Sequence, residues 1–428
     1  MSRRGIVWQM IELEQERQRP ARAILVGKTD SRTVPDGDVV RELASLAKTA
    51  GFEVAGVVVL RRYEPSPKFG MGSGKAGEIG ARAEADDADL IVFDFEISPT
   101  QQRNWEELTG KTCLDRQEII IRIFADRALT REAALQIELA RLEYSLPRLA
   151  HTYSALSRQR GGRYGTKGSG ETQLELDRRG VLGRIAQIKG ELKDVRQDRA
   201  TQRKRRERVP VPSVAIVGYT NVGKSTLLNA LTGAGVLSED ALFATLDPTT
   251  RRFSLPSGRA ILLTDTVGFI RNLPHGLVDA FHATLEEAAF ASAVIILLDA
   301  SDPEMEIQFS TTREVLTEVG AESRPYLVVL NKIDRCDEFT LRRLAVEYPE
   351  AVMISAATQE GLASFGDRLG TLLAGEEGSF LLPPDRTDLL ARIHREGSVS
   401  STEYLEEGIL VRARATGRLA ATLKEFER

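Results

Sequence analysis

The sequence predicts an α/β protein in three folded parts. These are a small N-terminal parallel α/β domain carrying an antiparallel helical hairpin, a second α/β domain built on a glycine loop, and a small C-terminal α+β domain. Three patterns carry that expectation. Short apolar runs alternate with helix-like stretches over residues 22–128, which implies βαβ units around a parallel sheet. Two heptad seams follow, joined by a glycine-rich stretch. Beyond them Gly218-Tyr219-Thr220-Asn221-Val222-Gly223-Lys224-Ser225 stands between an apolar run and a helix-like run, the strand–loop–helix setting of a phosphate loop.

Residues 1–21 read as an N-terminal extension. Arg3 and Arg4 precede no continuous apolar run, so no secretory signal is expected. Ala23–Val26, Val54–Leu60, Leu90–Phe93 and Thr112–Leu114 read as buried strands of a domain over 22–128. Helix-like segments lie around Val39–Ala50, Ala76–Ala85 and Pro99–Leu108. Residues 129–208 follow a different period. Leu135, Leu139, Leu142, Leu146 and Leu149 form one heptad seam, and Val181, Ile185, Ile188, Leu192 and Val195 a second. Two such helices pair as a hairpin, each about 36 Å long if it has about 24 residues. Pro147 is expected to kink or end the first.

Charge sets the hairpin apart. The chain of 428 residues carries a net charge of −4, yet Arg148–Arg208 holds 17 Lys/Arg against 7 Asp/Glu. A basic segment inside an acidic protein suggests a polyanion, RNA first, against the plainer reading of a solvated helix face. Its connecting loop, Gly161–Gly170, joins glycines to basic and aromatic side chains. Arg158, Arg160, Arg163 and Lys167 suit phosphates and Tyr164 a stacked base. Cys113 and Cys336 have no partner motif, and four histidines show no ligand spacing. A reduced, cytoplasmic setting without membrane insertion is expected.

Residues 209–375 form the nucleotide domain. The glycines of the loop admit close backbone approach, and Gly218 to Ser225 together with Thr226 would cradle phosphates. Lys224 would reach the β- and γ-phosphates and Ser225 would bind Mg²⁺. Asp265, at the end of the apolar strand Ala260–Leu263, would hold Mg²⁺ through water, and Gly268 would aim its N–H at the γ-phosphate. Between them, Thr245 is the first choice for a switch hydroxyl on Mg²⁺ and Thr249 the second. The catalytic set is therefore Lys224, Thr245 and Gly268.

The base is read further on. Asp334, in Asn331-Lys332-Ile333-Asp334, can accept both donors of guanine, a pair that adenine lacks. Lys332 would lie over the base, and Asn331 would tie this loop to the phosphate loop. Ser355 and Ala356 close a strand-like Met353–Ala356 where backbone can meet the guanine oxygen. Together the motifs specify a Mg²⁺-dependent GTP hydrolase. Residues 376–428 form the C-terminal domain, with a helix near Asp388–Arg395, a strand near Ile409–Ala413 and no chemistry of their own.

These motifs resemble those of translation-factor GTPases. The flanks Leu156-Ser157-Arg158-Gln159, Gly170-Glu171-Thr172-Gln173-Leu174-Glu175, Phe243-Ala244-Thr245-Leu246-Asp247-Pro248-Thr249 and Asp265-Thr266-Val267-Gly268-Phe269 resemble the HflX family of ribosome-associated GTPases. The resemblance spans nearly the whole chain. It implies binding to the large ribosomal subunit and its rRNA, with the hairpin loop toward the peptidyl transferase centre, and splitting or rescue of stalled or idle ribosomes. A regulatory switch that recruits proteins through its coiled-coil hairpin is the alternative. The resemblance also implies a K⁺ ion at Asn221 in place of an arginine finger, and a monomer is expected. One departure is Gly70-Met71-Gly72-Ser73-Gly74-Lys75, where the family often has Gly-Lys-Gly-Lys. Its accidental Gly72-x-Gly74-x-x-Gly77 fingerprint has no strand before it and is not read as a dinucleotide site. Phe269 stands where many GTPases have a water-orienting glutamine. It can neither donate nor accept a hydrogen bond, so slow hydrolysis by the free protein is expected.

Overall fold

The computed structural model describes residues 19–31, 33–61, 63–159, 169–206, 211–233, 242–243, 248–271, 285, 287–374, 377–415, 419 and 422–428. The chain divides into two compact units, residues 1–197 with 273–280 and residues 198–272 with 281–428.

In the first unit, β1 (Arg22–Lys28), β2 (Glu53–Leu60), β3 (Leu90–Phe93) and β4 (Thr112–Asp115) form a parallel sheet in the order β2-β1-β3-β4. All four residues of β3 and the central five of β1 are buried, as continuous apolar runs require when helices cover both faces of a sheet. The helices are α1 (Arg41–Thr49), α2 (Ser73–Ala85), α3 (Pro99–Thr109) and α4 (Arg116–Arg127). Ser98 and Gln101 close a reciprocal capping box at the start of α3, satisfying two otherwise orphaned N–H groups. Trp105, on α3, is fully buried and donates its indole N–H to the Phe69 carbonyl at 2.9 Å. The glycine fingerprint at Gly72 begins α2 after turn and coil rather than after a strand.

Helix α4 had no clear sequence signal. Its buried Ile119, Ile120, Ile121, Ile123 and Phe124 wrap around the helix instead of forming a stripe, so a β-branched run hides the helical period. Asp115 starts α4 by accepting the Glu118 amide at 3.0 Å.

The hairpin helices are α5 (Arg131–Gln159) and α6 (Ser169–Arg206). At 1.5 Å per residue they span about 43 Å and about 57 Å, longer than expected. Pro147 lies inside α5 and does not end it. Its missing N–H removes one i→i−4 bond, a loss that does not interrupt the helix. Leu135, Leu139, Ile185, Ile188 and Leu192 form the buried seam, with Leu142, Leu146 and Val181 packed on it. Arg131 pairs with Glu191 at 3.0 Å and Glu138 with Arg184 at 2.7 Å, an order that shows the helices to be antiparallel. Midway along α5, Arg148 bonds the Ile97 carbonyl, Gln102 and Asp115, and the Tyr144 phenol lies 3.1 Å from both Asp115 and Glu118.

In the second unit, β5 (Ser213–Gly218), β6 (Thr249–Ser254), β7 (Ala260–Asp265), β8 (Ala293–Asp299), β9 (Tyr326–Asn331) and β10 (Val352–Met353) form a sheet ordered β10-β9-β8-β5-β7-β6. Only β6 is antiparallel to its neighbour. Its Thr-Thr-Arg-Arg-Phe-Ser is too polar to read as a strand, yet charge is what an exposed edge tolerates. The strand expected over Met353–Ala356 pairs only through Met353. Between the strands run α7 (Lys224–Thr232), α8 (Met305–Glu318), α9 (Glu338–Glu347) and α10 (Leu362–Ala374). The chain ends in a three-stranded antiparallel sheet, β11 (Glu377–Leu382), β13 (Gly408–Arg414) and β12 (Ser398–Leu405), with α11 (Thr387–Glu396). Phe380, Leu382, Leu389, Ile393 and Val411 form a core of their own there. No described helix is long and apolar enough to cross a membrane.

Candidate nucleotide site

Strand β5 delivers its loop into a tight space. A Cβ on Gly218 would lie 2.3 Å from the Leu297 carbonyl oxygen. Gly223 has φ +96°, and a Cβ there would lie 2.5 Å from Nδ2 of Asn331. Both positions therefore demand glycine. Helix α7 starts at Lys224 with no side chain capping its first turn, which leaves N–H groups and the positive dipole end for an anion.

Lys224 is buried and folds back to donate to the carbonyls of Gly218 at 3.2 Å and Tyr219 at 2.8 Å. Burial lowers its pKa to about 8, and the Asp265 carboxylate opposes that shift. Ser225 donates its hydroxyl to Oδ2 of Asp265 at 2.7 Å, and Asp265 is fully buried at the end of β7. A hydroxyl and a carboxylate held together are hard oxygen donors of the kind Mg²⁺ selects. Among the described residues no group of three or more His, Cys, Asp or Glu side chains could hold a metal. Any Mg²⁺ here would thus complete its shell with nucleotide and water oxygens, its usual habit in nucleotide enzymes.

The segment after β7 runs beside the phosphate loop. Phe269 N–H donates to the Gly218 carbonyl at 3.0 Å and the Phe269 carbonyl accepts the Thr220 N–H at 2.8 Å, a short parallel bridge. Thr266 donates its hydroxyl to the Ile216 carbonyl at 2.7 Å, and the Tyr219 phenol oxygen accepts the Arg271 N–H at 2.7 Å. A Cβ on Gly268 would lie 2.8 Å from Nζ of Lys224 and 2.8 Å from Cα of Thr220. The Phe269 ring is buried. Its backbone is thus committed to the loop and its side chain to the core.

The base end converges on Asn331. Its Nδ2 donates to the Val222 carbonyl at 2.8 Å, and its Oδ1 accepts the Ala356 N–H at 2.9 Å. Lys332 adopts left-handed backbone with φ 64°. Its Nζ donates to the Asn221 carbonyl at 2.7 Å and pairs with Asp299 at 2.7 Å. Asp334 sits exposed in a 3-10 turn over Ile333–Arg335. Ser355 is buried and its Oγ accepts the Thr358 N–H at 3.1 Å. Tyr219, Thr220, Asn221, Val222, Lys332 and Ser355 all fall in this stretch of loops at the strand ends, and Thr226 lies in the first turn of α7. Sequence reasoning missed Asp299, although an acid ending the apolar run of β8 is the same signal that singled out Asp265.

Some expectations fall elsewhere. Thr245 lies outside the described residues. Thr249 is the first residue of β6, paired with Asp265, a ladder position and not a free loop. Arg160, Arg163, Tyr164 and Lys167 lie outside the described residues, and Arg158 is described only as helical backbone. Cys113 packs in the core of the first unit.

Three family models match in series: GTP-binding GTPase N-terminal over residues 38–125, GTP-binding GTPase Middle Region over 127–206 and 50S ribosome-binding GTPase over 213–332. A GTPase HflX of Akkermansia muciniphila is 46% identical over 94% of this chain and 96% of its own. The GTPase HflX of Escherichia coli is 41% identical over 87% and 88%. A crystal structure of a GTP-binding protein from the hyperthermophilic archaeon Sulfolobus solfataricus, in complex with GDP, aligns with a TM-score of 0.44 at 28% identity, over 82% of this chain and 98% of that one.

Proposed function

We propose, from the premise that this chain belongs to the HflX family of GTPases, that it spends its GTP on the large ribosomal subunit, splitting or rescuing stalled or idle ribosomes. The chain is a P-loop GTPase. The ribosomal part of the reading is carried by one observation: a matched 50S ribosome-binding GTPase region, residues 213–332, follows directly on a hairpin with a local excess of ten positive charges. In this reading Arg158, Arg160, Arg163, Tyr164 and Lys167 meet rRNA at the hairpin tip.

Water attacks the γ-phosphorus as the bond to the β-phosphate oxygen breaks, giving GDP and phosphate. Lys224 and the Gly268 N–H hold the γ-phosphoryl oxygens, and the α7 amides hold the rest of the chain of phosphates. Ser225, Thr245 and, through water, Asp265 would bind Mg²⁺, which neutralises charge on the phosphates. Asn331 and Lys332 shape the base pocket, Asp334 reads guanine, and the backbone at Ser355 and Ala356 meets its oxygen. Asn221 would hold a K⁺ ion, which would add positive charge near the transferred group, so hydrolysis on ribosomes should run faster in KCl than in NaCl. The protein acts as a cytoplasmic monomer.

The alternative, protein recruitment through the coiled coil, is less well supported. The leucine seam is buried between the two helices of the hairpin and is not presented to a partner. Sedimentation with large subunits at graded salt decides between them. rRNA contact predicts binding that falls steeply as salt rises, because counterions are released. Binding indifferent to salt and to removal of residues 161–168 would favour a protein partner.

A further inference from the structure

We propose that the Thr220 hydroxyl is a catalytic group: it hydrogen-bonds the γ-phosphoryl oxygens of GTP and stabilises the charge that builds there. Thr220 is 6% exposed, and its Oγ1 is buried with no hydrogen-bond partner among the described residues. Leaving such a hydroxyl unmatched is destabilising. The neighbouring buried hydroxyls are all engaged: Ser225 on Asp265, Thr266 on the Ile216 carbonyl, Ser355 on the Thr358 N–H. Thr220 alone of this group has no hydrogen-bond partner among the described residues.

Its location says what the hydrogen is for. The Thr220 N–H is held by the Phe269 carbonyl at 2.8 Å. A Cβ on Gly268 would meet Cα of Thr220 at 2.8 Å, Cγ2 of Thr220 at 2.9 Å and Nζ of Lys224 at 2.8 Å. Thr220, Gly268 and Lys224 therefore converge on one point, and the latter two are the groups that serve the γ-phosphate. The base-reading residues Lys332 and Asp334 belong to a different loop. Phe269, where a polar side chain would steady the reaction, is buried and has no hydrogen-bonding group. A hydroxyl one strand away can supply a donor that Phe269 lacks. It transfers no proton and forms no covalent bond. The water oxygen bonds phosphorus, the β-phosphate oxygen leaves, and Thr220 donates one hydrogen bond throughout.

The test compares Thr220→Val, which keeps the shape and loses the hydroxyl, with Thr220→Ser, which keeps the hydroxyl. Single-turnover hydrolysis by the free protein is followed, so ribosome docking does not enter, and GDP affinity is measured beside it. The expected result is a rate roughly tenfold to a hundredfold lower for Thr220→Val, with GDP affinity within about twofold of the parent and Thr220→Ser close to the parent rate. A Thr220→Val rate equal to the parent's would overturn the proposal. So would Thr220→Ser as slow as Thr220→Val, which would assign the effect to the methyl group against Gly268. GDP affinity falling in step with the rate would also overturn it, by showing a deformed loop.

Discussion

Asn331 bonds in two directions with one amide, to the Val222 carbonyl and to the Ala356 N–H. Removing it leaves a buried acceptor and a buried donor unmatched, each a penalty of about 1–3 kcal/mol. Asn331→Ala should therefore weaken GDP and GTP alike, by roughly tenfold or more, with Kd measured by calorimetry. Equal affinities would mean that water replaces the amide. Asp334 is tested by chemistry instead of deletion. Its carboxylate matches two donors, whereas an amide offers one donor and one acceptor, the pattern that complements xanthine. Asp334→Asn should lose guanine nucleotides by roughly a hundredfold or more and gain xanthosine triphosphate. At this scale Asp265 and Asn331 could be found in the sequence because each ends an apolar strand, β7 and β9. Asp299 escaped because its partner Lys332 is 33 residues away along the chain; only the sheet brings them together.

Among the elements, the hairpin was read from its seam. Leu139 and Ile188 sit in the buried layer, and Ile188→Ala should cost about 2–5 kcal/mol in urea unfolding, far more than a substitution at exposed Leu182. The middle of α5 adds a pH dependence. One Tyr144 phenol hydrogen faces two carboxylates, Asp115 and Glu118, each at 3.1 Å. Burial and the nearby Asp115 charge raise Glu118 from 4.5 to about 7. Arg148 and the phenol oppose the shift, while Glu106 on α3 adds to it. The folded state thus binds more protons than the unfolded one between these values. Stability is full below about 4.5 and declines as pH rises to about 7, by about 3 kcal/mol. Glu118→Gln should flatten that slope, and an unchanged slope would place the proton elsewhere. The heptads could be seen in the sequence because leucine spacing is periodic. The α4 helix could not, because its isoleucines surround it, and β6 could not, because an edge strand needs no apolar face.

At the scale of the whole molecule, the glycine loop and the six-stranded sheet lie in one unit, residues 198–272 with 281–428, and a second core lies in the other. A ligand stabilises only what binds it, by about 2.7 kcal/mol at a hundredfold excess over Kd. Calorimetry with GDP should move the transition of the nucleotide-bearing unit and leave heat absorbed by the other in place. A single transition moving as one would mean that the two unfold together. A change of period near residue 129 and of charge from Arg148 onward marks the hairpin along the chain, because leucine spacing and basic runs are local signals. The bridge between Phe269 and the phosphate loop has a further use. The amide hydrogens of Thr220 and Phe269 are locked in it, and exchange with deuterated water only when it parts. These two isotopic signals form an internal clock, ticking each time the segment after Asp265 lets go of the loop. Their rates with GDP, with a GTP analogue and on ribosomes would time the switch without altering a residue.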